Sequence, residues 1–178
     1  MNHIVAIGKP HFASDNSFIL EVERASGKKD SFICISSKDE IDKVSSATRL
    51  EVSGRIKART HNGKTECYVE VLDMLEYSSE EYCINSVILK GSICGKPYFK
   101  RVSNDSLSLT NVILKAESAY IPVILWGNDA SRCRRLPTGT ELYVEGRLQS
   151  RVYTKYVADG VEKGITYEVS AGTVLIRR

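Results

Sequence analysis

The chain has 178 residues, which is enough for one ordinary domain or two small ones. Its hydrophobic content of 42% and charged content of 26% are typical of a folded globular protein and exclude a disordered chain. No apolar run approaches the ~20 residues that a membrane-spanning helix needs, so no membrane partner is expected.

The formal net charge of +3 is unevenly distributed along the chain. Residues 1–84 contain 11 Lys+Arg and 14 Asp+Glu, whereas residues 85–178 contain 14 and 8. If one half binds a polyanion, we therefore expect it to be the second half.

The amino terminus has no basic segment followed by an apolar core, so it does not resemble a signal peptide and a cytoplasmic protein is expected. The five cysteines form no Cys-x-x-Cys pair, and we interpret them as reduced structural thiols. His61 and Cys67 lack a second pair of ligands nearby, so neither a metal site nor a cofactor is expected.

Apolar alternation in the first half predicts five strands. The polar segment 38–46 lies between the third and fourth of them and predicts a short helix or turn. Asn62 and Gly63 predict a tight hairpin between the fourth and fifth strands, because both residues tolerate positive φ. The predicted strands are residues 2–8, 17–23, 30–36, 50–59 and 67–75.

The second half repeats this order of elements. A short helix is predicted to start at Asn128 or Asp129, which would cap it, and to stop before Pro137. This helix would carry Arg132, Arg134 and Arg135. A hairpin tip is predicted at Asp159–Gly160. The predicted strands are residues 87–91, 106–115, 120–126, 142–155 and 165–176.

The two halves are copies of one unit. Residues 2–8 and 85–91 match position for position, and a Thr-x-Leu-x-Val-x-Gly-Arg motif occurs at Thr48 and again at Thr140. The offset grows from 83 to 92 between these matches, so the second copy has about nine extra loop residues. Because residues 78–81 are the one linker-like stretch, we predict two domains, residues 1–81 and 82–178.

Five strands with a short helix between the third and fourth is the element order of an OB-fold. This fold is a small five-stranded Greek-key barrel whose open face binds oligonucleotides. We therefore expect an all-β protein made of two tandem OB-folds.

Basic and aromatic residues alternate with the predicted core on the fourth strand of the second copy. Leu142, Val144 and Leu148 would point inward, and the outward side chains would be those of Tyr143, Arg147, Arg151, Tyr153 and Lys155. Such a face could bind phosphates and bases of a nucleic acid, and a solvated charged face is the alternative.

Two aromatic residues share one face of the preceding strand. Tyr120 and Trp126 are six residues apart, which places them roughly 20 Å from each other at ~3.3 Å per residue. A base stacked on either would contribute ~1–3 kcal/mol without sequence preference. A core position is the alternative for Trp126. A further basic and aromatic cluster is predicted in the loop between the first and second strands, at Lys96, Tyr98, Phe99, Lys100 and Arg101.

The first copy keeps the basic face but not its aromatic residues. Arg55, Lys57 and Arg59 repeat the charges, while Glu51 stands on the same strand and nothing there matches Tyr153. Phe32 and Tyr68 are its candidate stacking residues, and a core position is the alternative for both. We expect this copy to be a weaker binder or an assembly surface.

Catalytic signatures are missing from the sequence. Residues 91–96 superficially resemble a phosphate-binding loop, but three residues separate the glycines where four are required, and Pro97 replaces the metal-binding Ser or Thr. We expect no catalytic residues and no enzyme activity.

Three segments of the second copy are similar, in order and spacing, to the bacterial single-stranded DNA-binding protein family: residues 85–91, 123–127 and 139–153. The resemblance covers nearly all of residues 85–178, whereas the first half is similar only through its opening strand and its Gly-Arg strand. It implies that Tyr120, Trp126 and Tyr153 occupy base-stacking positions and that Arg147 and Arg151 contact the nucleic acid. The implied function is sequence-independent binding of single-stranded DNA in replication, recombination or repair.

The resemblance also sets expectations about partners. The family generally assembles four barrels, which predicts a homodimer of this two-barrel chain. Its usual acidic, hydrophobic tail tip, which recruits replication and repair enzymes, has no counterpart after the last predicted strand, so recruitment through such a tip is not expected. The loop at residues 115–120 is short and lacks the family's aromatic residue. The chain also resembles the tailless primosomal replication protein N group, so a primosome assembly factor or a protein-interaction module is the alternative function, and RNA is the alternative ligand.

Overall fold

A computed structural model describes residues 1–61, 64–79, 83–102, 107–157 and 160–177, which form ten strands and two short helices. Neither of the helices in these ranges has the length and apolar character needed to cross a membrane. In chain order the elements are β1 (Asn2–Ser14), β2 (Ser17–Glu23), β3 (Lys29–Ile35), α1 (Lys38–Ser46), β4 (Leu50–His61), β5 (Lys64–Glu76), β6 (Asn85–Val102), β7 (Leu107–Ala116), β8 (Ala119–Trp126), α2 (Gly127–Cys133), β9 (Glu141–Val157) and β10 (Gly160–Arg177).

The chain folds into two five-stranded barrels, so the predicted fold class is confirmed. Strands β1–β5 with α1 form the first barrel, and β6–β10 with α2 form the second. In each barrel the third and fifth strands pair in parallel, Cys34 with Val69 and Val123 with Val169. The domain boundary predicted at residue 81 lies outside the described residues, as does the turn predicted at Asn62 and Gly63.

The barrel interiors are filled by the apolar residues that alternate along each strand. Leu142, Val144 and Leu148 are buried, as the alternation on this strand predicts. Burial also raises the pKa of the Cys67 thiol to about 11, so this cysteine is protonated at neutral pH. The largest fully buried side chains are Phe18, Phe32, Ile4, Ile7, Leu20, Leu50, Ile56, Leu89, Ile93, Leu114, Ile121 and Leu125.

The glycine of the repeated Gly-Arg motif lies where the fourth and fifth strands of each barrel approach closely. A Cβ atom on Gly54 would collide with the backbone carbonyl oxygen of Glu70, and one on Gly146 would collide with that of Ser170. Only glycine lets the fourth strand approach the fifth so closely at this point. The motif is therefore a packing requirement of the barrel and does not by itself indicate nucleic-acid binding.

The first strand of each barrel is longer than predicted. Both strands were expected to end at glycine, but β1 continues past Gly8 to Ser14, and β6 continues past Gly91 to Val102. The extension of β6 pairs with β7 to form an arm, which we call the β6–β7 arm. Lys100 therefore lies on a strand and not in a loop, and the same correction applies to Lys96, Tyr98, Phe99 and Arg101.

Two further local predictions were wrong. Helix α2 begins at Gly127 after Trp126, and no side chain caps it; because it ends at Cys133, Arg134 is its C-cap and Arg135 lies beyond it. The alternation that places Leu142, Val144 and Leu148 inside also predicts that Val152 points inward. Val152 is instead 66% exposed, because the hairpin of β9 and β10 extends beyond the body of the barrel.

The two barrels are joined by backbone pairing. Strands β1 and β6 pair antiparallel, with Ile4 opposite Val87 at the centre of the ladder. Because Ile4 and Val87 occupy equivalent positions of the two copies, this pair lies on a local twofold axis. Strands β5, β4, β1, β6, β9 and β10 consequently form one six-stranded antiparallel sheet that passes through both barrels.

Hydrogen bonds that involve side chains form a second contact between the barrels. The backbone N–H of Ser150 on β9 donates to Asp30 Oδ1 on β3 at 3.2 Å, and the N–H of Ser31 donates to Ser150 Oγ at 3.2 Å. Asp30 is fully buried, and the Arg24 guanidinium donates to both of its oxygens, through Nε at 2.6 Å. On the other side of the twofold axis, Lys57 Nζ donates to Ser118 Oγ at 3.5 Å.

Candidate nucleic-acid interface

The outer face of the second barrel is a curved sheet of five strands, which we call the binding face. The register aligns one row of residues across all five strands, from Tyr98 on the arm through Asn111, Ile124 and Ser170 to Arg147 on β9. At ~4.8 Å between neighbouring strands this row is about 19 Å long. The face is therefore wide enough for several nucleotides of an extended strand.

Trp126 and Tyr120 lie at opposite ends of β8 on the binding face. Tyr120 is 50% exposed, and the Lys115 ammonium lies 5.8 Å from the centroid of its ring. Trp126 is half-buried, and its indole Nε1–H donates to Ser170 Oγ at 3.1 Å. This bond fixes the indole plane against the sheet. The alternative that Trp126 belongs to the core does not hold, because the neighbouring Leu125 points inward.

Tyr153 lies over a glycine on the facing strand. Gly164 is its register partner, and a Cβ atom there would lie 2.6 Å from Cζ of the tyrosine ring. The missing side chain gives the ring a place to lie flat on the hairpin. Lys155 is paired through its backbone with Glu162, and its side chain lies outside the described part of the chain.

Positive charge on the binding face is partly offset by one carboxylate. Glu168 is 5% exposed and accepts hydrogen bonds from Gln149 Nε2 at 3.0 Å and from Arg151 Nε at 3.3 Å. Arg147 is exposed and makes no ion pair with any described residue. The two predicted arginines thus differ, because Arg151 is shared with a carboxylate and Arg147 is available.

Sequence reasoning missed three polar residues of the binding face: Lys115, Glu168 and Ser170. Alternation along β7 could have indicated Lys115, since the odd-numbered residues of this strand point outward. The same alternation could have indicated Glu168 and Ser170, since Tyr167 and Val169 of their strand point into the core.

The β6–β7 arm extends the binding face beyond Trp126. Lys100 pairs with Leu109, which in turn pairs with Trp126, so the lysine lies two strands from the indole. Tyr98 is 61% exposed, and Arg101 is exposed near the end of the arm. The structure therefore brings Tyr98 and Lys100 onto the same face as Trp126 and Arg147.

The corresponding face of the first barrel has its charges neutralised. Arg59 Nη2 lies 2.8 Å from Glu66 Oε2, and Lys57 Nζ lies 3.6 Å from Glu70 Oε2. Arg55 Nε lies 3.9 Å from Glu117 Oε2 of the second barrel. In the second barrel Thr166 and Ser170 occupy the positions of the two first-barrel glutamates, since both barrels share one register.

The first barrel's face lacks aromatic residues at the two β8 positions of the binding face. Ser31 occupies the position of Tyr120, and Ser37 that of Trp126, when the parallel pairs of the two barrels are aligned. Phe32 is buried in the core, so it cannot stack on a base. Tyr68 is half-buried, with the Arg59 guanidinium carbon 5.7 Å from its ring centroid.

Comparisons with known proteins agree with this geometry. The fold matches crystal structures of the single-stranded DNA binding protein from Thermus aquaticus. The wild-type structure gives a TM-score of 0.72 at 16% identity and covers 100% of this chain and 93% of that chain. A deletion variant gives the same TM-score and identity and covers 100% and 95%. At this identity the likeness shows the fold alone. No curated protein sequence matches the chain.

A family model matches the sequence of the second barrel. The model of the single-strand binding protein family matches residues 84–176, slightly more than half of the sequence. The matched range contains the whole binding face from Tyr98 to Ser170. The chain therefore belongs to the single-strand binding protein family.

Proposed function

We propose that the chain binds single-stranded DNA without sequence preference, through the binding face of its second barrel. The observation that supports this proposal is the placement of three aromatic rings, those of Trp126, Tyr120 and Tyr153, on one continuous sheet face beside Arg147 and Arg151. Bases would stack on the rings, since every base has a π-face, and the arginines would neutralise phosphates. Such binding serves replication, recombination or repair in the cytoplasm and requires neither catalysis nor a cofactor.

Tryptophan fluorescence tests this proposal directly, because Trp126 is the one tryptophan in the sequence. Oligo-dT should quench its emission, and the affinity should fall steeply with salt. Tyr120→Ala and Tyr153→Ala should each weaken binding by about 1–3 kcal/mol. Tyr77→Ala is the matched control, since Tyr77 lies in the first barrel beneath Arg49. Salt-independent binding, or no quenching, would contradict the proposal.

Competition with oligo-U decides between DNA and RNA. The DNA assignment predicts that oligo-dT displaces oligo-U at a lower concentration than the reverse. A protein-interaction module, by contrast, would retain its protein partners after Tyr120, Tyr153 and Arg151 were all changed to alanine, and it would bind neither oligonucleotide.

The first barrel has a different role in this proposal. Its carboxylate pairs and its serines at the stacking positions disfavour a strand of phosphates, so we assign Arg55, Lys57 and Arg59 to weak contacts at the edge of the second barrel's site. Its main contribution is assembly of the six-stranded sheet. We assign domain 1–81 to assembly and domain 82–178 to binding.

The outer face of the six-stranded sheet supports a homodimer. Leu75 and Leu175 occupy equivalent positions of the two barrels, and each is 58% exposed. Packing these sheets of two chains face to face would cover both leucines and bring four barrels together. The resulting particle would carry two complete binding faces.

A further inference from the structure

A basic groove lies beside the binding face, between the β6–β7 arm and the end of α2. It has a volume of about 520 Å³ and is lined by Lys96, Pro97, Tyr98, Phe99, Arg134 and Arg135. We call it the arm groove. Its lining contains three cationic side chains and no carboxylate, so its local charge is positive although the chain as a whole is nearly neutral.

The positive charges of the arm groove are not balanced by carboxylates of the described residues. Lys96, Arg134 and Arg135 are exposed and make no ion pair with any carboxylate of a described residue. Arg132, one helical turn earlier, differs from them, because its Nη1 lies 2.8 Å from Asp129 Oδ1. Exposed cations that cluster without counter-charges raise the local concentration of anionic ligands.

The walls of the groove are held together by hydrogen bonds. The hydroxyl of Thr138 donates to the carbonyl oxygen of Gly95 at 3.1 Å, and the N–H of Gly139 donates to that of Ile93 at 2.8 Å. These bonds fasten the segment after α2 to the arm. The Arg134 guanidinium carbon lies 5.6 Å from the centroid of Phe99, and this stacking restrains a side chain whose N–H donors suit phosphate oxygens.

Tyr98 connects the arm groove to the binding face. It belongs to the row that ends at Arg147, and it also lines the groove. A bulge between Cys94 and Tyr98, with Gly95 at a φ of 77°, bends the arm at this point. A base stacked on Tyr98 would therefore place its flanking phosphates on either side of the bend.

We propose that the arm groove is a further binding site for the single strand, in which Arg134, Arg135 and Lys96 hold phosphates and Tyr98 carries a base. The site extends the path of the strand from the binding face around the arm. It rests on the proposed function of the binding face and adds a defined end to that path.

Two oligonucleotide lengths test this site separately from the binding face. Oligo-dT of about 4 nucleotides should occupy the binding face alone, and oligo-dT of about 16 nucleotides should also reach the groove, since these lengths span the usual site sizes of an OB-fold. Trp126 quenching reports both complexes. The double variant Arg134→Gln, Arg135→Gln should bind the short oligonucleotide like the wild type.

The same double variant should bind the long oligonucleotide at least tenfold more weakly, with a salt slope reduced by about 1.4, because each phosphate contact on a single strand contributes ~0.7. Arg132→Gln is the matched control, and it should leave both affinities and the slope unchanged. An unchanged affinity and slope of the double variant on the long oligonucleotide would overturn the site.

The experiment distinguishes a failure of the proposed function of the binding face from a failure of the proposed site in the arm groove. If neither oligonucleotide quenches Trp126 in the wild type, the function of the binding face is wrong. If both do and the double variant behaves like Arg132→Gln, the arm groove alone is wrong. Binding of a polyglutamate peptide that is lost in the double variant, with the long oligonucleotide unaffected, would also overturn the site and assign the groove to an acidic protein segment.

Discussion

Glu168 is the residue that limits the positive charge of the binding face. It lies on β10 among the aromatic and basic residues, is nearly inaccessible, and holds both Gln149 and Arg151. In the proposed complex this carboxylate would repel phosphates and compete with them for Arg151. It would also keep the arginine in one orientation, so it would lower the affinity while fixing the geometry of the site.

Glu168→Gln should therefore tighten binding of single-stranded DNA. The amide keeps the shape and can still accept a hydrogen bond from Arg151, but it frees this arginine for a phosphate. We expect a higher affinity, because a charge that opposes the ligand is removed, and a salt slope steeper by about 0.7. The measurement is Trp126 quenching at several salt concentrations.

Asp129→Asn is the matched control for this substitution. It removes a carboxylate that is also paired with an arginine, Arg132, but on α2 and away from the binding face. Weaker binding by Glu168→Gln, or an equal effect of both substitutions, would show that the carboxylate does not oppose the ligand.

At the scale of the element, an asparagine at the start of each first strand holds the fourth strand of its barrel. In the first barrel the Asn2 amide donates to the carbonyl oxygen of Ile56 at 2.7 Å and accepts the N–H of the same residue at 2.9 Å. In the second barrel Asn85 makes the same two bonds to Leu148, at 2.7 and 2.9 Å. The repeat of the sequence at these positions thus has a structural cause.

Asn85→Ala should lower the free energy of unfolding by about 1–3 kcal/mol, because it leaves the N–H and C=O groups of Leu148 without partners. It should also weaken DNA binding, since Leu148 lies next to Arg147. Urea unfolding and Trp126 quenching measure the two effects.

Asn2→Ala is the paired variant in the other barrel. It should cost a similar amount of stability, but it should leave the affinity for oligo-dT unchanged because the neighbours of Ile56 on β4, Arg55 and Lys57, are already paired with carboxylates. Equal losses of affinity in both variants would mean that the two barrels contribute equally to binding.

At the scale of the whole molecule, the outer face of the six-stranded sheet is the proposed contact between two chains. Leu75→Arg together with Leu175→Arg should convert the proposed dimer into a monomer, because burying two guanidinium groups on each side of the contact without partners is unfavourable. Sedimentation velocity measures the change. Oligo-dT of about 4 nucleotides should still quench Trp126 in this variant.

Val161→Arg is the control for the dimer, because Val161 is similarly exposed, at 55%, but lies on the hairpin of β9 and β10. It should leave the sedimentation coefficient unchanged. A wild-type chain that sediments as a monomer would contradict the homodimer.

Alternation and turn residues were sufficient to predict the order of the elements and most of the core. Residues 38–46 form a helix between the third and fourth strands, and Leu142, Val144 and Leu148 lie inside. These features depend on local sequence, where the periods of 2 and 3.6 differ. The alignment of Tyr120 with Trp126 on one face could be predicted for the same reason.

Features that depend on partners distant in the sequence could not be predicted. The extension of β6 contains Gly95 and Pro97, which disfavour a strand and lie in the bulge, yet pairing of the residues on either side with β7 continues the strand. Glu66 and Glu70 were visible in the sequence, but only the register of β4 and β5 shows that they neutralise the basic side chains there. The site residues themselves stay a prediction until binding is measured.

The local twofold axis at Ile4 and Val87 has a consequence for how this protein can change over time. In an assembly of identical barrels, every substitution appears on every face at once. Here the two copies are encoded separately, so glutamates can accumulate at positions 66 and 70 while positions 166 and 170 keep Thr and Ser. Under the proposed function, one barrel of such a chain can lose its ligand contacts while its symmetric contacts continue to support the other.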